Sequence, residues 1–200
     1  MKDKKICLSL FFLEKIAPLS TEFKQFFQEK VSSKLYKKGT VLNESGQLCD
    51  TLYFIKKGLI RGYHIIENKE ITTWMSTDGE LVTSITGFFK NENARENIQT
   101  LEDTSVECIS YSDLQYGLSI YPEMGTVFTT LLIEYYIHAE NRTLLSRIPS
   151  AKGRFNYFLE TGNKFLLNRA PHKYLASMLN IRPETFSRIL KDFLLVEEEP

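Results

Sequence analysis

Between Val31 and Tyr111 the chain is a series of short segments rich in β-branched and aromatic residues, each followed by a turn signal. The turn signals are Lys38-Gly39, Ser45-Gly46, Lys57-Gly58, Glu67-Asn68 and Asp78-Gly79. Tight turns often need a positive φ, which glycine adopts without steric cost. Many short strands at this regular spacing predict an antiparallel sandwich or barrel.

Helical patterns flank this β region on both sides. Residues 6–30 place apolar side chains at roughly helical spacing, with Pro18 as a break. Strand signals stop after Tyr111, and Pro122 is typical of the first turn of a second helix, which runs to about Leu145. The chain therefore predicts an α+β protein in which helices precede and follow a β domain.

The helix that follows Pro122 carries two apolar lines. The first has the four-and-three spacing of a heptad and predicts a dimer interface of Met124, Phe128, Leu131, Tyr135, His138 and Arg142. The second line would then face the barrel and consists of Val127, Leu132, Tyr136 and Ala139. A helix that is apolar on two sides must be covered twice, which predicts a homodimer. The alternative is a single buried helix inside a monomer.

The segment His172–Leu190 has the pattern of a helix-turn-helix. Apolar residues are spaced so that two short helices can pack across a tight turn, and Ala176 is small where the helices would cross. Asn180 lies at the turn and tolerates the left-handed conformation better than most residues. Pro183 then suits the first position of the second helix, with Glu184 beside its positive end.

The second of these helices exposes side chains that suit the major groove of DNA. Arg188 can reach guanine O6 and N7, and Glu184 can accept from a cytosine amine. The candidate DNA-binding residues are His172, Arg182, Glu184, Thr185, Ser187, Arg188 and Lys191. The alternative is an ordinary pair of helices with a solvated outer face.

The charge distribution favours a polyanionic partner for the C-terminal part. The net charge of the chain is zero, but residues 142–192 contain 10 basic and 3 acidic residues. A basic module joined to a mildly acidic one is typical of proteins that bind nucleic acid.

These segments resemble the cyclic-AMP receptor protein and fumarate-nitrate regulator (Crp/Fnr) family over nearly the whole chain. The stretch 46–58, GQLCDTLYFIKKG, is similar to the family's strand-turn-strand signature, and 184–190, ETFSRIL, to its recognition helix. The resemblance implies a jelly-roll-like β-roll (a double-stranded β-helix), a dimerisation helix and a helix-turn-helix, over residues 1–120, 121–148 and 149–200. It also places Glu184 and Arg188 at base-reading positions, with Pro183 at a third that it cannot use for hydrogen bonding.

The phosphate-binding cassette of the family is altered in this chain. Where the family has Gly-Glu stand Thr83 and Ser84, and Arg95 is followed by Glu96 in place of Ser or Thr. The ribose would lose a carboxylate acceptor, and the Glu96 carboxylate would repel a cyclic phosphate. We therefore expect a small effector other than cyclic AMP, or none, with these four residues as the candidate ligand site.

Other chemistry is not indicated. Cys7, Cys49 and Cys108 are too dispersed for a metal or iron–sulfur site, and no nucleophile, phosphate-loop or dinucleotide motif occurs. No apolar run reaches the roughly 20 residues of a membrane span. We expect a cytoplasmic DNA-binding regulator that is not an enzyme, with double-stranded DNA, a second copy and RNA polymerase as partners. The alternatives are a cyclic-nucleotide receptor with an atypical cassette, and a dimeric interaction module without DNA binding.

Overall fold

The computed structural model describes residues 7–197 of the 200-residue chain. The strands are β1 (Ser32–Tyr36), β2 (Val41–Asn43), β3 (Thr51–Lys57), β4 (Leu59–Ile66), β5 (Lys69–Thr77), β6 (Leu81–Val82), β7 (Asn97–Thr100) and β8 (Thr104–Ser110). They form two antiparallel sheets of four strands each, in the orders β1-β8-β3-β6 and β2-β7-β4-β5. The predicted α+β class with an eight-stranded β domain is confirmed.

The turns between the strands have the backbone conformations that the sequence predicted. All four glycines of the predicted turns have positive φ: Gly39, Gly46, Gly58 and Gly79. Glu67 and Asn68, with φ of 50° and 61°, form the two-residue turn of the β4–β5 hairpin. Two successive positive φ values match the right-handed twist of a tight hairpin.

The two sheets enclose an apolar core. Ile55, Ile60, Ile98 and Val106 are fully buried between them. The Trp74 ring lies so close to the Gly62 backbone that a Cβ at that position would be 2.1 Å from the ring. The aromatic ring and the glycine are therefore matched to each other.

Five helices surround one end of the sheets. They are α1 (Leu8–Ile16), α2 (Thr21–Lys30), α3 (Ile85–Lys90), α4 (Tyr111–Ile120) and the 26-residue α5 (Pro122–Arg147). Their shared core contains Phe23, Phe88, Leu114, Met124 and Val127, all buried. The first turns of α5 are thus part of the β domain's own packing.

The remaining helices form a C-terminal unit with a separate core. They are α6 (Ala151–Phe158), α7 (Leu166–Arg169), α8 (His172–Met178) and α9 (Pro183–Glu197). Phe155, Phe158, Leu175, Leu179 and Phe186 are almost completely inaccessible to solvent in this core. Residues 148–150 connect it to α5.

Candidate nucleic-acid interface and effector pocket

Helices α8 and α9 form a helix-turn-helix. Asn180 has a φ of 52°, so the left-handed conformation expected at the turn is present. The Ile181 amide donates to the Ala176 carbonyl over 2.8 Å, which closes the turn, and Pro183 is the first residue of α9. Ala176 is completely buried at the helix crossing. A proline at this position loses no hydrogen bond, because the first amides of a helix have no intrahelical partner.

The outward side of α9 presents polar and charged side chains to solvent. We call it the reading face, and its exposed members are Arg182, Glu184, Ser187, Arg188 and Lys191. Thr185 is half-buried beside them. Together with the positive end of the helix dipole, the cations of this face favour a negatively charged partner.

The predicted DNA-binding residue His172 lies apart from the reading face, at the first position of α8. Its side chain is exposed, but Nε2 lies 3.2 Å from the Leu167 carbonyl oxygen, and its ring is 5.7 Å from that of Phe186. The imidazole is therefore held by its own unit while one side remains open to solvent.

Arg154 of α6 connects the turn of the helix-turn-helix to the end of α5. It donates to the carbonyls of Leu179 and Asn180, each over 2.8 Å, and to those of Ile148 and Pro149 over 2.7 and 3.1 Å. Sequence reasoning missed this residue, because its partners are backbone carbonyls and leave no pattern in the side chains.

The altered cassette is divided between buried and exposed positions. The Thr83 hydroxyl donates to the Thr51 carbonyl over 3.0 Å, so it is committed to the protein itself. Ser84 is buried and hydrogen bonds with the Glu96 carboxylate, which also accepts from Trp74 Nε1 over 2.8 Å. Arg95 is exposed to solvent. The structure brings Ser84 and Glu96 together and leaves Arg95 outside that pair.

Charged and polar groups of α5 act on this pocket. Burial raises the pKa of the Glu80 and Glu96 carboxyls, and the positive charge of Arg142 opposes the rise in both. Burial also raises the pKa of the Tyr135 hydroxyl, and the negative charge of Glu80 adds to the effect. Sequence reasoning missed Glu80 and Trp74, because their roles depend on the folding of β5 against α5.

The predicted dimer face of α5 is therefore corrected. Met124 is 3% exposed in the core of its own domain, the Phe128 ring lies 5.2 Å from that of Phe89, and Leu131 packs against the same core. Tyr135, His138 and Arg142 act electrostatically on Glu80. The physical reason is that two lines on α5 have heptad spacing, and the line chosen from the sequence packs on the β domain.

The assignment of the second apolar line changes as well. Only Val127 and, in part, Ala139 are shielded, whereas Leu132 and Tyr136 are 46% and 65% exposed. Apolar residues on α5 that are open to solvent form what we call the free face: Leu132, Ile133, Tyr136, Ile137 and Leu144.

Residues 33–120 match the family model of the cyclic nucleotide-binding domain. Among solved structures, the chain is similar to FixK2 from Bradyrhizobium japonicum, with a TM-score of 0.74, 18% identity and coverage of 84% of this chain and 86% of that one. A putative Crp/Fnr transcriptional regulator from Eubacterium rectale gives 0.70, 18%, 91% and 88% for the same four measures. The catabolite activator protein of Thermus thermophilus gives 0.55, 22%, 94% and 87%. No curated protein matches the chain in sequence.

The fold thus defines a cyclic nucleotide-binding-type domain followed by a helix-turn-helix unit. The resemblance to Crp/Fnr regulators that the sequence indicated is confirmed at the level of the fold. The neighbours named here are regulators rather than enzymes. Within residues 7–197, no helix is long and apolar enough to cross a membrane.

Proposed function

We propose that the protein is a sequence-specific DNA-binding transcription regulator that acts as a homodimer. The observation that carries this proposal is the reading face, where exposed Arg182, Arg188 and Lys191 lie on the second helix of a helix-turn-helix. An arginine at the centre of such a helix can form a bidentate pair with guanine in the major groove. The FixK2 and catabolite activator folds support the same function.

The homodimer forms through the free face of α5. Ile133, Ile137 and Leu144 are 54%, 42% and 53% exposed, and they repeat at intervals of four and seven residues. This is the spacing with which a second helix is packed in a coiled coil. Exposed large apolar side chains in one continuous line are typical of a protein–protein interface. The symmetric pair would present two reading faces to a two-fold symmetric operator.

The β domain serves as the sensor, with an effector that differs from cyclic AMP. Support comes from the cassette, where the Thr83 hydroxyl is bonded to backbone and the Glu96 carboxylate stands where a cyclic phosphate would need donors. The family match over residues 33–120 favours the second candidate, a cyclic-nucleotide receptor. RNA polymerase and a cytoplasmic location follow from the same family resemblance.

Substitutions on the reading face test the proposal. Arg188→Ala is expected to lower affinity for the operator by about 1–3 kcal/mol and to relax the base preference at one position of each half-site. Lys191→Ala is expected to weaken binding to all duplexes alike and to reduce the salt slope of log K by about one per contact, because it would lose a phosphate contact. Fluorescence anisotropy against a panel of single-base operator variants at several salt concentrations measures both effects.

The matched control is Lys38→Ala, which removes an exposed positive charge from the β domain. It should bind as the wild type does. If Arg188→Ala leaves both affinity and base preference unchanged, the helix-turn-helix does not read DNA, and the chain is a dimeric interaction module instead.

A further inference from the structure

The first helix of the helix-turn-helix covers an edge of the β domain. Strand β5 is at the end of its sheet, so one side has no neighbouring strand. Helix α8 lies against that side, and the Thr72 amide of β5 donates to the Ser177 hydroxyl of α8 over 3.0 Å. A sheet edge presents unpaired backbone groups that proteins commonly cover with a helix. Here the covering helix belongs to the DNA-binding unit.

A buried arginine reinforces this contact. Arg61 of β4 is 1% exposed, and its guanidinium lies between the rings of Tyr63 and Tyr174, 4.0 and 3.6 Å from their centroids. Tyr174 belongs to α8, so the stack joins the two units. The guanidinium also donates to Gln99 over 2.8 Å and to Glu70 over 2.6 Å. A buried charge that is hydrogen bonded and stacked in this way fixes the orientation of the groups around it.

A second arginine connects the same two units from the end of α7. Arg169 donates to the Thr77 hydroxyl over 2.7 Å, to the Gly58 carbonyl over 3.0 Å and to the Glu102 carboxylate over 2.5 Å. It also pairs with Asp78 over 3.2 Å. All four partners lie in the β domain, so one side chain binds the edges of several of its loops at once.

The two units would have much more freedom without these interactions. The covalent connection consists of residues 148–150 between α5 and α6. The docking contact, which we define as Arg61, Thr72, Arg169, Tyr174 and Ser177, removes that freedom. It uses α7 and α8, whereas the reading face is on α9, so docking leaves the reading face exposed to solvent.

We propose that the docking contact determines the half-site spacing that the dimer accepts, with Arg169 and Tyr174 as specificity-determining residues. This inference rests on the proposed function. When both units of a dimer are docked, the distance and rotation between the two reading faces are fixed. Two extra base pairs rotate one half-site by about 70° relative to the other, because a helical turn contains about 10.5 base pairs. A mis-spaced operator can then be bound only after the docking contact breaks.

The test uses the full-length dimer and duplexes in which the spacer between two selected half-sites differs by up to two base pairs. Wild type is expected to prefer one spacer by about 100-fold, the scale of a few charge-assisted hydrogen bonds. Arg169→Gln and Tyr174→Leu are each expected to reduce that preference to within about tenfold, while affinity for a single half-site is retained. Lys37→Gln is the control, because it removes one charge from an exposed ion pair with Asp103 inside the β domain.

Hydrogen exchange at the Thr72 amide supplies a readout that is independent of DNA. The amide is expected to exchange faster in both variants than in wild type, at unchanged thermal stability of the β domain. Equal spacing preference in wild type and variants, or a wild type that tolerates all spacers, overturns the inference while leaving DNA binding intact. A wild type that binds no duplex at any spacing overturns the proposed function itself.

Discussion

Phe186→Ala is expected to lower the stability of the C-terminal unit by about 3–5 kcal/mol. Phe186 is fully buried, and its ring lies 5.8 Å from that of Phe155 in an edge-on arrangement. Truncation removes the contacts of an aromatic ring at the point where α9 packs on α6, and it leaves a cavity that rigid neighbours cannot fill. Because the reading face is on the opposite side of the same helix, specific DNA binding should be lost along with the fold of this unit.

Denaturant unfolding followed by circular dichroism, with duplex binding measured in parallel, checks this expectation. Leu194→Ala on the same helix is the matched control, since Leu194 is 47% exposed and should change stability by less than about 0.5 kcal/mol. A Phe186→Ala protein with the stability of the Leu194→Ala variant would contradict the packing described for α9.

Ile137→Glu is expected to convert the dimer to monomers at micromolar concentration. In a symmetric dimer each substitution occurs twice, so two buried isoleucine side chains are lost, at about 1.5–3 kcal/mol each. Two carboxylates must also be desolvated close to each other in the interface, which adds to the cost. The sum corresponds to a dissociation constant at least about 1,000-fold weaker.

Analytical ultracentrifugation over a concentration series measures the dissociation constant. The control is Leu35→Glu, which introduces the same charge at a 69% exposed position of β1. The monomer should remain folded, because Ile137 is on the free face rather than in the core. A variant that stays dimeric would place the interface elsewhere.

Local features of the fold could be predicted from the sequence. The left-handed Asn180, the positive φ values at Glu67 and Asn68, and the start of α9 at Pro183 all depend on a few neighbouring residues. Such preferences are encoded in the conformational energies of the residues themselves. They were sufficient to define the β domain and the helix-turn-helix.

The orientation of α5 could not be predicted in the same way. The line of Phe128 and Leu131 and the line of Ile133 and Ile137 both have heptad spacing, so periodicity alone does not decide which one packs on the β domain. The decision depends on Phe89 and the other groups that meet the helix in three dimensions.

The contacts between the two units were also beyond the reach of sequence reasoning. Arg169 binds Gly58, 111 positions earlier in the chain, and Thr72 and Ser177 are 105 positions apart. Several acceptors are backbone carbonyls, whose positions are set by the fold rather than by residue type. An arginine in a basic segment therefore indicates DNA before it indicates an interdomain contact.

Selection of bound sequences from a random duplex library, with and without cyclic AMP, tests the central claim most directly. Purified wild type at near-physiological salt is expected to recover a two-fold symmetric motif, with one dominant spacing and equal enrichment in both conditions. Absence of any motif in both conditions would contradict sequence-specific DNA binding. Recovery of the motif only with cyclic AMP would contradict the interpretation of the cassette and make the protein a cyclic-nucleotide receptor.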